Sequence, residues 1–258
     1  MTDGGNQMVS AVQDKGAVIV TGASRGIGAA IAERLASDGY GVVVNYAADA
    51  EGAESVVSAI KAKGGRATAV RADVASEDDV AGMFDQAQKQ MGPLTALVNN
   101  AGIGGGLARM DQQRADEMAR LAQVNVVGPM MCAKHAVRAM STAHGGKGGS
   151  IVTIASIAAQ APPGPEGLVP YEATKGAMVT FARSLSNEVG TEGIRSNSVS
   201  PGVIDTELAS SPELRDWGAQ GPLGRIGRPD EIAAAVSWLI SPEASYITGT
   251  DISVTGGL

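Results

Sequence analysis

The sequence predicts an α/β protein, a doubly wound parallel seven-stranded sheet in a single domain. Three observations lead to this prediction. Short runs of apolar, β-branched residues alternate with segments of helical periodicity along almost the whole chain. The first run, residues 17–20, is followed at once by a glycine-rich turn and a helical pattern. The chain has 258 residues, 44% of them hydrophobic, and no change in composition that indicates a linker.

The chain divides into a short polar segment and one domain. Residues 1–15 lack the apolar core of a signal peptide, and we expect them to form a polar, flexible tail. Residues 16–258 carry all the alternating patterns, and a chain of this length can bury a core of its own. No apolar run in the sequence reaches the ~18 residues of a membrane span.

The turn after the first strand has the pattern Gly-x-x-x-Gly-x-Gly, at Gly22, Gly26 and Gly28. Glycine permits the backbone angles of a tight turn. It also lets the backbone approach a diphosphate that rests on the N-terminus of the next helix. Taken alone this turn is a weak signal, because a plain helix-starting loop also uses glycine.

The remaining elements follow in regular alternation. Apolar runs predict strands at 41–46, 66–71, 95–98, 150–155, 194–200 and 251–254, and helical spacing predicts helices at 49–63, 76–91, 111–143, 171–189 and up to 240. Ser76 precedes three acidic residues, which is typical of a helix N-terminus. Pro129 predicts a bend or a break inside the long fourth helical segment.

Charge and cysteine content exclude several classes of function. The net charge of −7 argues against nucleic acid and anionic membrane surfaces as partners. The single cysteine, Cys132, excludes a disulfide framework and fits a core residue in a reducing compartment. With only His135 and His144 available, a histidine-based metal site is disfavoured. We therefore expect a cytoplasmic protein without a metal.

Tyr171 and Lys175 are the strongest candidates for chemistry. They stand four residues apart and would share one face of a helix. A nearby ammonium favours the phenolate, so we expect Lys175 to lower the tyrosine pKa from its usual value of about 10. The pair could then exchange a proton with an alcohol or carbonyl oxygen near neutral pH. On its own, however, the spacing is more typical of a solvent-exposed helix face.

Four motifs in a fixed order make the pattern more specific. They are Thr21-Gly22-x-x-x-Gly26-x-Gly28, Asn99-Asn100-Ala101-Gly102, Ser156 after the fifth strand, and Tyr171-x-x-x-Lys175, with Asp73, Asn125 and Pro201-Gly202 also in register. The set resembles the short-chain dehydrogenase/reductase family over about residues 15–258, and is similar in particular to NADP-dependent 3-oxoacyl reductases and carbonyl reductases. This resemblance implies a Rossmann-like fold and hydride transfer between a nicotinamide cofactor and a carbonyl or secondary alcohol.

The resemblance also implies roles for single residues. Tyr171 resembles the general acid/base, Ser156 the hydroxyl that binds the substrate oxygen, and Asn125 the asparagine that holds a water of the proton relay. Lys175 resembles the residue that holds the nicotinamide ribose. Ser156 lies 15 residues before Tyr171, slightly more than in many family members, and Ala155 stands where the family often has serine. The implied cofactor contacts are Gly22, Ser24, Arg25, Gly26, Ile27, Gly28, Asn45, Tyr46, Asp73, Val74, Asn100, Ala101, Gly102, Tyr171, Lys175, Pro201, Gly202 and Thr206.

Cofactor choice depends on residues near the end of the second strand. An NAD-binding sheet usually ends this strand with Asp or Glu, whereas here it ends Asn45-Tyr46. Asp49 lies nearby and is expected to be a helix cap. Arg25, inside the glycine turn, can pair with a 2′-phosphate. Residues 47 and 48 offer no second basic group, so the prediction is a preference for NADP(H), with NAD(H) as the alternative.

Three functions stay open. The first is an NADP(H)-dependent carbonyl reductase or alcohol dehydrogenase acting on a small molecule. The second is a 3-oxoacyl-[acyl-carrier-protein] reductase, which Glu192 disfavours, because those enzymes typically have a basic residue there to dock an acidic carrier protein. The third is a non-catalytic nucleotide-binding sensor on the same fold. The complete set of four catalytic candidates argues against it.

The resemblance further implies a homotetramer. Related enzymes pair two long helices across a two-fold axis, which in this chain correspond to residues 121–140 and 171–189. Both segments are apolar around much of their circumference, more than one sheet face can cover. We therefore expect part of this apolar surface to meet a second subunit.

Overall fold

The strand order of the central sheet shows where the predicted cofactor and catalytic residues lie. In a computed structural model that describes residues 14–160 and 166–258, seven parallel strands are arranged in the order β3-β2-β1-β4-β5-β6-β7. The strands are β1 (Ala17–Val20), β2 (Gly41–Tyr46), β3 (Arg66–Arg71), β4 (Leu94–Asn99), β5 (Gly149–Ile154), β6 (Ile194–Pro201) and β7 (Asp251–Val254). This confirms the predicted doubly wound sheet. Most of the predicted tail, residues 1–13, lies outside the described residues.

Helices cover both faces of the sheet. They are α1 (Gly26–Ser37), α2 (Ala50–Ala62), α3 (Glu77–Met91), α4 (Ala115–Ala122), α5 (Gly128–Met140), α6 (Val169–Val189), α7 (Pro212–Gly218) and α8 (Pro229–Ile240). One apolar core lies under α1, α2 and α8, and a second lies under α3, α5 and the end of α6. The central strands are therefore buried on both faces, which explains their continuous apolar runs. Within the described ranges, no helix has the length and apolarity that crossing a membrane requires.

The long helical segment predicted at 111–143 is interrupted. The structure has α4, a π-helical stretch at Gln123–Val127 and then α5. Pro129 is the second residue of α5 and has no backbone N–H to donate to the preceding turn. The wider π turn lies directly before it, so the predicted break is confirmed. The sequence missed α7, which is seven residues long and lies in a segment without clear periodicity.

Local sequence signals at helix ends are confirmed. At the start of α3, the Ser76 hydroxyl accepts a hydrogen bond from the Asp79 N–H at 3.3 Å. At the start of α2, the Asp49 carboxylate accepts from the Gly52 N–H at 3.0 Å. Cys132 is fully buried in the second core, and this burial raises the pKa of its thiol to about 12. It is therefore a packing residue, as predicted.

Candidate active site

The strand order reverses between β1 and β4, and this point opens a crevice at the carboxyl ends of the strands. In open α/β sheets, ligands bind where the order reverses in this way. The turn after β1, the segment after β4 and the residues after β5 all reach this crevice, since parallel strands end at one edge of the sheet. The predicted site residues reach this crevice from several separate stretches of chain.

The glycine turn after β1 fits closely against the segment after β4. Gly22 and Gly26 have φ values of +61° and +57°, which strain any residue with a side chain. A Cβ at Gly22 would lie 2.8 Å from the Ala101 Cα, and one at Gly28 would lie 2.4 Å from the Gly22 carbonyl oxygen. All three predicted glycines are thus required by the backbone, and they leave an open cradle above the turn.

The N-terminus of α1 differs from those of α2 and α3. Arg25 occupies its N-cap position, no side chain of the described residues caps it, and its first turn contains no acid. The first N–H groups of a helix need an acceptor and attract an anion. Together with the glycine cradle, these groups fit the diphosphate of a dinucleotide. Gly22, Gly26 and Gly28, with the N–H groups of α1, would hold it.

The segment after β4 supports the glycine turn. The Thr21 hydroxyl accepts hydrogen bonds from the N–H groups of Asn100 and Ala101, both at 3.0 Å. The Asn100 side chain donates to the carbonyls of Thr21 and Gly22 at 2.9 and 3.0 Å. Asn100 therefore acts on the cofactor site by fixing the turn. Thr21 has the same role, and sequence reasoning included it only as part of a motif.

Tyr171 and Lys175 lie on one face of α6, as predicted, with the lysine Nζ 5.6 Å from the centre of the tyrosine ring. Lys175 is 6% exposed, which excludes a solvent-exposed helix face for this pair. Its ammonium donates a hydrogen bond to the Ile154 carbonyl at the end of β5, at 3.0 Å. Burial lowers the pKa of Lys175 to about 8. This group can therefore gain or lose a proton close to neutral pH.

The pKa of Tyr171 moves in the opposite direction from our expectation. Burial raises it, and a hydrogen bond with Ser156 offsets this effect only in part. The prediction that Lys175 lowers this pKa is therefore wrong for the protein alone. The reason is that the dry surroundings disfavour the phenolate and also weaken the hold of Lys175 on its proton. Ser156 is oriented through its Oγ, which accepts from the Ala158 N–H at 3.2 Å.

Asn125 is buried in the π-helical stretch and its side chain holds the backbone of Ile103. Oδ1 accepts from the Ile103 N–H and Nδ2 donates to the Ile103 carbonyl, both at 2.9 Å. Nδ2 also donates to the Thr174 hydroxyl at 3.2 Å, which in turn donates to the Tyr171 carbonyl. Thr174 thus links two predicted catalytic residues. It precedes Lys175 in the motif, but no local pattern pointed to this contact.

Gly102 keeps the space between the catalytic residues open. A Cβ at this position would lie 3.3 Å from the Asn125 Oδ1 and 3.6 Å from the Lys175 Nζ. The three groups therefore surround one small polar space. A cleft opens beside Tyr171 and is lined mainly by Gly104, Gly105, Gly106, Gln113, Glu117 and Met118. This cleft adjoins Tyr171, the predicted general acid/base.

At the other end of the crevice, Asn45 has a supporting role. It is 1% exposed, and its Oδ1 accepts from the Gly22 N–H at 3.2 Å. Its Nδ2 donates to the carbonyls of Val70 and Ala72 at 3.3 and 3.0 Å. The side chain thus bonds both to the glycine turn and to the end of β3. Direct contact with a cofactor, as expected from the sequence, does not suit a buried amide with these partners.

Asp73 faces an arginine that the sequence did not single out. Its carboxylate accepts from Arg120 of α4 at 2.9 Å and from the Ala75 N–H at 3.0 Å. Burial acts to raise the pKa of Asp73, but the bonds from Ala75 and Arg120 outweigh it, so the pKa is lowered. Arg120 is 47 residues away in the chain, which is why no spacing rule could reveal it.

Arg25 already has two carboxylate neighbours. Its guanidinium lies 3.6 Å from Asp49 and 3.4 Å from Glu207; Arg25 and Glu207 are exposed, and Asp49 is half-buried. Asp49 is thus both the predicted cap of α2 and an ion-pair partner. A second guanidinium, that of Arg71 at the end of β3, donates to the Ala47 carbonyl at 3.3 Å. Residues 47 and 48 themselves carry no basic side chain, as the sequence shows, but Arg71 brings one to the same loop from the neighbouring strand.

The remaining predicted contacts lie around the same crevice. Thr206 stands over the glycine turn, since a Cβ at Gly26 would lie 3.3 Å from its methyl group. Pro201 ends β6, and Gly202 approaches Thr255 so closely that a Cβ would lie 2.9 Å from its Cα. Of the others, Ile27 and Tyr46 pack against the first core, Val74 belongs to the second, and Ser24 is half-buried in the turn.

Comparison with known proteins agrees with this geometry. The family model described as "Enoyl-(Acyl carrier protein) reductase" matches residues 22–258. The "Uncharacterized oxidoreductase YgfF" of Escherichia coli is 41% identical over 243 residues, which cover 93% of this chain and 98% of the relative. The "3-oxoacyl-[acyl-carrier-protein] reductase FabG" of Staphylococcus aureus is 40% identical over 245 residues, 93% of this chain and 96% of the relative.

Solved structures show the same fold. A short-chain dehydrogenase/reductase from Serratia marcescens has a TM-score of 0.88 at 35% identity and covers 96% of this chain and 99% of its own. A short chain dehydrogenase from Burkholderia cenocepacia in complex with NADP has a TM-score of 0.86 at 35% identity, with 93% and 96% covered. A 7 alpha-hydroxysteroid dehydrogenase complexed with NADH has a TM-score of 0.88 at 33% identity, with 95% and 94% covered. Both cofactor types therefore occur among similar structures.

Proposed function

The chain belongs to the short-chain dehydrogenase/reductase family, and from this membership we propose that it transfers a hydride between NADP(H) and a carbonyl or secondary alcohol substrate. The observation that carries this proposal is the meeting of Tyr171, Ser156 and the buried Lys175 at the end of the dinucleotide crevice. A binding protein has no need of a buried ammonium beside a tyrosine and a serine hydroxyl. The same arrangement supplies a proton, an oxygen-binding hydroxyl and a cation at one place.

Each protein group has a distinct part in the reaction. When bound, the nicotinamide supplies the hydride to the carbonyl carbon or accepts it from the alcohol carbon. The Tyr171 hydroxyl gives its proton to the substrate oxygen during reduction, and its raised pKa keeps it protonated beforehand. The Ser156 hydroxyl binds the same oxygen. Lys175, whose pKa is about 8, can return a proton toward the tyrosine from the polar space beside Gly102.

A preference for NADP(H) rests on the charges at the end of β2. Residues 45–48 contain no acid, so no carboxylate at the strand end competes for the ribose hydroxyls. Arg25 lies in the glycine turn with its guanidinium exposed to the crevice. Binding of NADPH and NADH, followed by cofactor fluorescence, tests this preference. Equal affinity for the two cofactors would contradict it.

The second candidate is a 3-oxoacyl-[acyl-carrier-protein] reductase, which the similarity to the Staphylococcus aureus enzyme favours. Against it stands Glu192, which accepts a hydrogen bond from the Ser141 hydroxyl near the start of β6. An acidic carrier protein would meet a carboxylate there. Comparing turnover of one 3-oxoacyl group on a carrier protein and on a short neutral thioester separates the two. A large advantage for the carrier-bound form would support the second candidate.

A panel of carbonyl compounds tests the proposed reaction itself. We would follow NADPH oxidation with diketones, β-keto thioesters, quinones and sugars. Use of NADPH deuterated at the transferable position would show deuterium on the product carbinol carbon. Tight cofactor binding with no turnover across the panel would favour the third alternative, a nucleotide-binding sensor.

We also propose a homotetramer. Val127, at the end of the π-helical stretch, and Met130 of α5 are 38% and 40% exposed and leave apolar surface at the junction of the two segments. By contrast Met140, Met178 and Ala182 are buried in the subunit's own core, so the apolar surface left for a partner is narrower than expected. Light scattering at micromolar concentration tests the proposal. The subunit mass is 26.0 kDa, and a measured mass near four times this value is expected, whereas a mass near one subunit would refute it.

A cytoplasmic location completes the proposal. The only cysteine is buried and its thiol stays protonated, which suits a reducing compartment without requiring a disulfide. Fractionation of cells that express the chain at native level tests this. Recovery in a membrane or an extracellular fraction would contradict it.

A further inference from the structure

Two guanidinium groups converge on one short loop, residues 47–49, between β2 and α2. Arg71 reaches it from β3, where it pairs in register with Tyr46, the last residue of β2. Its Nε donates to the Ala47 carbonyl at 3.3 Å. Arg25 reaches the same loop from the glycine turn, 3.6 Å from the Asp49 carboxylate. The loop is thus bracketed by cations from two sides.

The two arginines differ in what surrounds them. Arg25 lies near two carboxylates, those of Asp49 and Glu207, at 3.6 and 3.4 Å. In the part of the chain that the structure describes, Arg71 makes no ion pair within 4.0 Å. One of its five N–H donors contacts Ala47, which leaves the rest of the planar fork for another acceptor. Without Arg71, the charged groups around this loop would be the two carboxylates of Asp49 and Glu207 and the single guanidinium of Arg25.

We propose that Arg71 supplies the second cation for the 2′-phosphate of NADP(H), opposite Arg25. In this fold the adenosine ribose lies beside the end of β2, where the loop is found. A phosphate dianion next to Asp49 and Glu207 would be repelled if Arg25 were the only cation. With Arg71, two guanidinium groups balance the negative charge of the two carboxylates. The remaining N–H donors of Arg71 suit phosphate oxygens. This inference rests on the proposed NADP(H) preference and deepens it.

The test measures binding of two fragments, 2′,5′-ADP and 5′-AMP, which differ only in the 2′-phosphate. Isothermal calorimetry on the full chain needs no turnover and no substrate. We expect Arg71→Gln to weaken 2′,5′-ADP about tenfold, the loss of a charge-assisted contact reduced by exposure. Binding of 5′-AMP should change less than about twofold, which also shows that the variant is folded.

Arg66→Gln is the matched control. Arg66 is the first residue of the same strand β3, it is also exposed, and it pairs with Asp14 at the opposite edge of the sheet. It should leave the affinity for both fragments unchanged. The same tenfold loss in both variants would overturn the proposal, because it would indicate a general charge effect.

The outcomes separate this inference from the proposed function. If the unmodified chain prefers 2′,5′-ADP and Arg71→Gln keeps that preference, the role of Arg71 is refuted while the NADP(H) preference stands. If the unmodified chain binds both fragments equally, the NADP(H) preference fails and the role of Arg71 fails with it. Hydride transfer, tested by the carbonyl panel, is independent of either result.

Discussion

The charged and titratable groups at the two ends of the crevice differ in how deeply they are buried. At the catalytic end, Lys175 is buried and Tyr171 is partly buried, and burial has shifted the pKa of each group. At the adenosine end, Arg25 and Arg71 are exposed and Asp49 is half-buried, so charges are screened by solvent and single ion pairs contribute little. Under the proposed function, a few buried groups with large pKa shifts would carry the chemistry, whereas several exposed groups with small individual contributions would recognise the cofactor.

The sharpest test of the catalytic end is Tyr171→Phe. It removes the proton donor and leaves the ring, so we expect kcat to fall by about 10³-fold. Affinity for NADPH should stay within about twofold, since the phenyl ring still fills the same space. The control is Tyr40→Phe, a second buried tyrosine with a raised pKa that lies next to the start of β2. Full activity in Tyr171→Phe with a working substrate would refute the assignment.

Lys175→Met tests whether burial is the dominant effect at this end. A pKa lowered from 10.5 to about 8 corresponds to about 3 kcal/mol of destabilisation below pH 8, where both folded and unfolded states hold the proton. The loss of the bond to the Ile154 carbonyl offsets about 1 kcal/mol of this. The variant should therefore be inactive, and at pH 7 its free energy of unfolding should be about 2 kcal/mol higher.

The stability difference between Lys175→Met and the unmodified chain should depend on pH in one direction. Between about pH 8 and pH 10.5 the folded chain releases the Lys175 proton while the unfolded chain keeps it, so the unmodified protein gains stability as pH rises. The advantage of Lys175→Met should shrink over this range, as measured by urea unfolding at pH 7 and pH 10. The exposed Lys61→Met serves as control. A difference between unmodified chain and variant that stays constant with pH would show that burial of the charge is not the cause.

Arg25→Ala addresses the adenosine end. We expect NADPH to bind about 1 kcal/mol more weakly, roughly fivefold, because the guanidinium is exposed and shared with Asp49 and Glu207. NADH should lose much less, since it has no 2′-phosphate. Fluorescence titration with both cofactors measures the two losses. Equal losses, or a native preference for NADH, would refute the cofactor prediction.

Arg120→Ala should have the smallest effect. The exposed ion pair with Asp73 contributes on the order of 0.2–1 kcal/mol. Asp73 resembles the carboxylate that meets the adenine ring in the family, and both cofactors carry that ring. NADPH and NADH should therefore weaken equally, by about twofold, and the difference should disappear at high salt. A loss confined to NADPH would place Arg120 at the 2′-phosphate and contradict the division proposed here.

The sequence predicted the sheet and the helix caps well because those signals are local. Period and composition define β1 to β7, and Ser76 or Asp49 lies within a few residues of the N–H group it binds. The sequence also grouped Tyr171 with Lys175, since one turn of helix separates them. In each case the interacting groups are close in the chain.

The features that the sequence did not predict depend on contacts between segments far apart in the chain. Arg71, Arg120 and Thr174 take their roles from partners 24, 47 and 49 residues away. The direction of the Tyr171 pKa was missed for a related reason, because it is the balance of burial against a hydrogen bond. Residue spacing identifies neighbours on a helix, but it does not show how far a side chain is buried from solvent.

The uncapped N-terminus of α1 has a consequence for the life of the protein in the cell. Among the described residues no side chain caps these N–H groups, so a nucleotide phosphate bound in the glycine turn would serve as the missing cap. A ligand present at about 100 times its Kd adds about 2.7 kcal/mol to the free energy of unfolding. The abundance of intact protein should then follow the supply of its nucleotide, and starvation for that nucleotide should expose the chain to proteolysis.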